Sequence, residues 1–288
     1  MGVCLIYCPL DHARRPRSYL GTGQLLAHAL RKGGADRVVV GIGGSATNDG
    51  GVGLAAALGF RFLDAERREL EPTPRHLPEL ASIEFPLDAL PSVLINVACD
   101  VKNPLLGPRG ATRVYGPQKG LCDEAQAAQL ELGLARLADV AAQTFGQDLR
   151  DIPGAGAAGG LGFGLITFCG AELLPGCGLV ASRLGLEAAV ARADLMLTGE
   201  GSLDGQTLEG KAPAGVAAMA RQLGRPVIAF GGRVEEAARA GLRICFDEIR
   251  GTLRRGTGAN AKGTNGPRTG VALPPRRPLG RAHRRGGP

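Results

Sequence analysis

The stretch VVVGIGGSATNDGGVG, Val38 to Gly53, decides the fold. Val38, Val39, Val40 and Ile42 read as a short buried strand, because β-branched residues favour the pleated, packed environment of a sheet. The chain then turns through Gly41, Gly43 and Gly44 into a polar run, Ser45, Thr47, Asn48 and Asp49. Gly50 and Gly51 close the loop, and Val52 to Leu58 reads as a helix. Glycine lets a ligand approach the backbone closely, and a helix N-terminus offers unpaired N–H groups to an anion. The alternative is a plain glycine-rich βα turn.

Composition narrows what this strand–loop–helix unit serves. The 288 residues suffice for one large or two ordinary domains, and 46 are glycine. Aromatic residues make up only 4% and Trp is absent, so Ala, Leu, Val and Ile must build the core. The formal charge of +7 misleads: nine Arg, one Lys and no acid lie from Arg250 onward, leaving residues 1–249 at −3. Charge alone therefore gives no reason to expect a nucleic-acid binder, and no aromatic residues punctuate the basic segment for base stacking. The seven cysteines include no CxxC pair; Cys4 and Cys8 have CxxxC spacing but no completing ligands nearby. Reduced thiols in a cytoplasmic protein are expected. No apolar run approaches the roughly 18 residues of a membrane span.

Outward from the central stretch, a helix is expected over 21–33, strands over 60–63 and 93–99, and a charged, proline-rich loop over 65–91. Asp123 is a candidate N-cap for a helix running to Phe145. The strand ending at Cys99 opens a charged loop with Asp100, Lys102, Asn103, Arg109, Arg113 and Lys119, at the strand end where α/β proteins place ligands. The glycine run Pro153–Leu165 reads either as a second anion loop or as a place where a helix packs close to a sheet. A strand from Asp194 enters a third loop, GEGSLDGQTLEGK, carrying Glu200, Ser202, Asp204, Gln206 and Lys211. Pro213 opens a helix running to Leu223. A strand over 226–230, a helix over 234–240 and a last strand over 242–246 complete the expectation, with disorder after about Glu248.

Two short motifs nearly fit. Gly41-Ile-Gly-Gly-Ser-Ala46 matches a relaxed dinucleotide fingerprint, with Asp64 near the distance of a ribose-binding acid, so an NAD-dependent dehydrogenase is one alternative. Gly205 to Ala212 matches a Walker loop except that Ala212 stands where the magnesium-binding hydroxyl belongs, which excludes a Walker fold. The remaining parts suit phosphoryl transfer. Asp49, Asp100, Glu200 and Asp204 could hold Mg²⁺ or accept a proton, and Lys102, Lys119 and Lys211 could neutralise phosphates.

GIGGSATNDGG, the segment from Cys99 to Gly120, PGAGAAGGLG and TGEGSLDGQTLEGK, in this order, resemble the type I glycerate kinases over roughly residues 21–246. The resemblance implies phosphorylation of D-glycerate by ATP with Mg²⁺, and two α/β domains with the active site in the cleft between them. It implies that Gly43, Gly44, Ser45, Thr47, Asn48 and Asp49 face the cleft, that Asp100 and Lys102 line it, and that Glu200, Ser202, Asp204 and Lys211 form its other wall. Assigning Asp204 as base rests on its place beyond a strand end, and no metal ligand is singled out. The family's opening D-S-F-K-G-like and D-G-G-E-G-T segments are not found here, and an Arg/Gly/Pro run stands where the family closes with a strand and helix. Residues 1–45 and 193–249 are therefore expected to form an incomplete terminal domain, 46–192 a middle domain, and 250–288 a disordered basic tail. A catalytically inactive remnant that still binds glycerate or nucleotide is the second alternative. No nucleic-acid or membrane partner is expected, and the oligomeric state is not legible.

Overall fold

The computed structural model describes residues 3–7, 18–32, 34, 36–121 and 123–251. Strand β1 (Val3–Tyr7), helix α1 (Leu20–Lys32) and strand β2 (Arg37–Gly41) precede the glycine loop and helix α2 (Val52–Leu58). Strands β3 (Arg61–Leu63) and β4 (Ser82–Glu84) form an antiparallel pair, with a 3₁₀ turn at Pro74–Glu79 between them. Then come β5 (Leu94–Ala98), α3 (Ala111–Tyr115), α4 (Glu124–Phe145), α5 (Ala157–Cys169) and β6 (Glu172–Leu174). The last part holds α6 (Gly176–Leu184), α7 (Leu186–Ala191), β7 (Met196–Leu203), α8 (Ala212–Gln222), β8 (Val227–Val234), α9 (Arg239–Cys245) and β9 (Glu248–Gly251).

The protein is α/β, with two parallel sheets. One has strand order β1-β2-β5-β6 and the other β7-β8-β9. Val38, Val39 and Val40 are all buried, as expected of a parallel strand covered on both faces. Two hydrophobic cores match the two sheets. The larger joins α1, α2, α4 and α5 to β2 and β5; the smaller gathers Val190, Leu203, Ala217, Ala229, Leu242 and Phe246. Phe60, Phe62, Phe85, Phe145 and Phe168 form one ring cluster, which ties the β3–β4 hairpin to α4 and α5. The scarce aromatic residues are thus concentrated where the hairpin needs an anchor.

Several expectations change. Segment 37–41 pairs with 94–98, so this part of the expected terminal domain shares the middle region's sheet instead of joining residues 193–249. Strand partners are chosen by long-range packing, which local sequence does not reveal. Residues 199–203 continue β7 instead of forming a loop, and the 65–91 loop contains β4. The expected strand at 242–246 is helical as far as Cys245: Ala238, Leu242 and Phe246, at and around the helix, recur every four residues and are all buried. Val234 ends β8 instead of opening a helix, and residues 248–251 form a strand instead of disorder. Residues 252–288, Cys8 and Cys122 lie outside the described residues. Cys99, Cys169, Cys177 and Cys245 are free thiols. No described helix is long and apolar enough to cross a membrane.

Candidate active site

The C-terminal ends of β2 and β5 open onto a cavity of about 510 Å³. Its walls are Ile42–Ser45, Ala98–Val101, and Ala157 and Ala158 at the start of α5, with Lys119 at one side. A second cavity of about 730 Å³ shares Asp100, Val101 and Tyr115 with the first and adds Lys102, Asn103, Arg109 and Lys211. Lys211 precedes α8 and belongs to the region of the second sheet. One cleft therefore brings together the strand-end loops of the first sheet and a cation from the second.

Hydrogen bonds fix this cleft. Tyr19, only 2% exposed, places its hydroxyl 2.5 Å from both Ser45 Oγ and the Ala158 carbonyl, while Ser45 Oγ donates to that carbonyl at 3.0 Å or to Thr47 O at 3.2 Å. Ala158 has φ 54°, a left-handed conformation costly for a residue with a Cβ. Gly159 and Gly160 follow with φ 71° and 86°. A Cβ on Gly159 would lie 2.1 Å from Thr47 O, and one on Gly160 would lie 2.7 Å from Gly50 Cα. The glycine run packs closely, but against the 47–51 loop and not against a sheet as the second reading had it. Lys119 Nζ donates to Thr47 O at 2.6 Å, and burial lowers its amine to about 8, opposed by the charge of Asp49.

On the first wall, Asp100 Oδ1 accepts the Gly176 N–H at 2.7 Å and so caps α6. Tyr115 donates to Asn103 Oδ1 at 2.7 Å, and Asn103 Nδ2 donates to Arg109 O at 2.7 Å, which braces the charged loop. On the other wall, Asp204 and Thr207 bond reciprocally. The Asp204 N–H donates to Thr207 Oγ1 at 3.0 Å, and the Thr207 N–H donates to Asp204 Oδ1 at 3.3 Å. The Thr207 hydroxyl, fully buried, donates in turn to Glu200 Oε1. Lys211 Nζ lies 4.0 Å from Asp204 Oδ1. Glu200, Thr207, Asp204 and Lys211 therefore form one linked set of two acids, a hydroxyl and a cation.

Comparison with known proteins decides the lineage. A profile of the glycerate kinase family matches residues 8–261. The chain belongs to the glycerate kinase family. It is 46% identical over 239 residues to the glycerate kinase of Bacillus subtilis (strain 168), covering 81% of this chain and 62% of that one. It is 44% identical over 218 residues to the glycerate 2-kinase of Escherichia coli (strain K12), covering 75% of this chain and 57% of that one. The crystal structure of a protein designated glycerate kinase 2 from Salmonella typhimurium LT2 superposes with a TM-score of 0.70 at 40% identity, covering 84% of this chain and 64% of that chain. The chain thus spans about three-fifths of the length of these family members.

Of the residues singled out in the sequence, Gly43, Gly44 and Ser45 line the first cavity, Lys102 and Lys211 the second, and Asp100 both. Asp204 joins them through Lys211, and Glu200 through Thr207. Ser202 lies on β7, on the same face as Glu200 by period-2 alternation, and lines neither cavity. Thr47 and Asn48 line a separate groove beyond Lys119, with the Asn48 amide donating to Thr112 Oγ1 at 2.9 Å. Asp49 does not face the cleft. It is fully buried, and its carboxylate accepts N–H groups of Tyr19 (2.9 Å), Gly51 (2.8 Å) and Gly53 (3.3 Å). The anion expected at the N-terminus of α2 is thus supplied by the chain itself. Asp64 is also committed, accepting the Arg68 N–H at 2.8 Å and its Nε at 2.7 Å in the turn just after β3, a strand outside the main sheet. That removes the ribose-binding acid on which the dehydrogenase alternative rested.

Sequence reasoning missed Tyr19 and the role of Thr207. Tyr19 sits in no motif, whereas Thr207 stands three residues after Asp204, the spacing of a side-chain-capped turn.

Proposed function

We propose that this chain transfers the γ-phosphoryl group of ATP to a hydroxyl of D-glycerate. Family membership supports the reaction class. The observation that carries the assignment to this cleft is Lys211, which lines one cavity with Asp100 and Lys102 while lying 4.0 Å from Asp204. Asp204 accepts the proton of the attacking hydroxyl. That oxygen bonds to the γ-phosphorus as the bond to the β-phosphate oxygen breaks, and ADP leaves. Lys102 and Lys211 offset the charge on the transferred group, while Ser45, held by Tyr19, offers a hydroxyl at the strand-end wall.

Among the described residues no three His, Cys, Asp or Glu side chains gather to hold a metal by themselves. Mg²⁺ in kinases is held by one or two carboxylates together with nucleotide phosphates, and the carboxylate of Asp100, which lines both cavities, fits that partial set. Bound there, Mg²⁺ would supply charge neutralisation at the phosphates.

The test is ADP release by the purified chain with and without D-glycerate. Glycerate-dependent release that falls about 10²-fold or more in Asp204→Asn supports the reading and its base. ATP binding without any turnover would instead leave a binding protein.

A further inference from the structure

We propose that the groove between residues 71–76 and 116–130 seats the nucleoside end of the triphosphate, with the phosphates directed at Lys119. The proposal deepens the kinase reading and rests on it. The groove measures about 580 Å³, within the range of small-molecule sites. Half-buried Pro74, Leu121 and Leu130 give it an apolar wall suited to a heterocyclic base. Gln126 and Gln129, three residues apart on α4, present amide groups able to bond a base edge. Arg75 and Lys119 supply cations, and Lys119 lines both this groove and the strand-end cavity.

Two further facts favour a nucleotide here over the glycine loop. Asp49 already occupies the N–H groups at the start of α2, so the phosphates must be met by side-chain cations instead. The strand-end cleft holds the acids and amines that the acceptor reaction needs, which leaves the groove with the apolar and amide chemistry a base needs.

ATP and D-glycerate binding to the full chain, measured separately by calorimetry, tests this, together with photolabelling by 8-azido-ATP. Arg75 and Gln129 are exposed, so Arg75→Glu with Gln129→Glu should fold, and an unchanged melting temperature without ligand checks it. ATP affinity should fall about tenfold or more with D-glycerate affinity unchanged, and the label should fall within residues 116–130. Undiminished ATP affinity in the double variant, or a label confined to residues 100–115 or 204–211, would overturn the groove assignment and leave the kinase reading standing. An unaltered chain that binds no ATP would overturn both.

Discussion

Replacing Asp49 by Asn tests whether this acid is a structural cap. The carboxylate accepts three backbone N–H groups, Gly51 on Oδ1 and both Tyr19 and Gly53 on Oδ2. Asn keeps one acceptor oxygen. Its better orientation retains Tyr19 and Gly53 and turns an amide NH₂ against the Gly51 N–H at a fully buried site. A lost bond to a charged acceptor is worth about 1.5–3 kcal/mol, and the stranded donor adds to it. Removing a buried charge offsets part of this. The expected loss is about 2–4 kcal/mol, a large share of a typical stability. Urea titration at pH 7 reads it as a lower midpoint with unchanged slope.

The pH dependence adds a sign. Burial raises the Asp49 carboxyl above its ordinary 3.8, against the pull of its N–H partners. A raised folded value means that the folded state holds the proton more tightly. Its contribution is therefore fully present below the unfolded value and declines as pH rises through the folded value. The deficit of Asp49→Asn should then be larger near pH 3.5 than at pH 7. A variant within about 0.5 kcal/mol of the parent at both pH values would refute the capping argument.

Other outcomes follow from the same geometry. Lys119, lowered to about 8 by burial, should acylate in trace-labelling mass spectrometry with a pH midpoint near 8, against about 10.4 for a lysine peptide in the same tube; coincident midpoints would contradict its buried placement. Because its folded value is depressed, stability from this group should rise between pH 8 and 10.5, as the unfolded chain gives up the proton the folded chain has already lost. Gly159→Ala should cost about 3 kcal/mol in a denaturant midpoint, from a Cβ 2.1 Å from Thr47 O at a φ of 71°. Ala158→Gly should be neutral or stabilising by up to about 0.5 kcal/mol in the same assay, since relief at φ 54° offsets the added freedom of the unfolded chain. Thr207→Val should lower turnover about tenfold or more without a comparable change in ATP affinity, because it unlinks Glu200 from Asp204.

The sequence by itself determined the local units. Val38–Val40 had to be a buried strand, Asp123 had to cap α4, where it accepts the Gln126 N–H at 2.7 Å, and Val52–Leu58 had to be a helix. Periodicity and capping are encoded within a few residues, so they can be read there. The strand-end acids and lysines were legible for the same reason, since loops at strand ends collect ligand chemistry in α/β proteins. Tertiary structure alone decided which polar residues of the 45–49 run see a ligand. Ser45 faces the cleft, Thr47 and Asn48 a different groove, and Asp49 the buried N–H groups of Tyr19, Gly51 and Gly53. It also decided that β2 pairs with β5, and that Tyr19 reaches Ser45 and Ala158 from 26 and 139 residues away. Those contacts join segments distant in the chain, and only the packing of α1 and α5 onto one sheet brings them within hydrogen-bond reach.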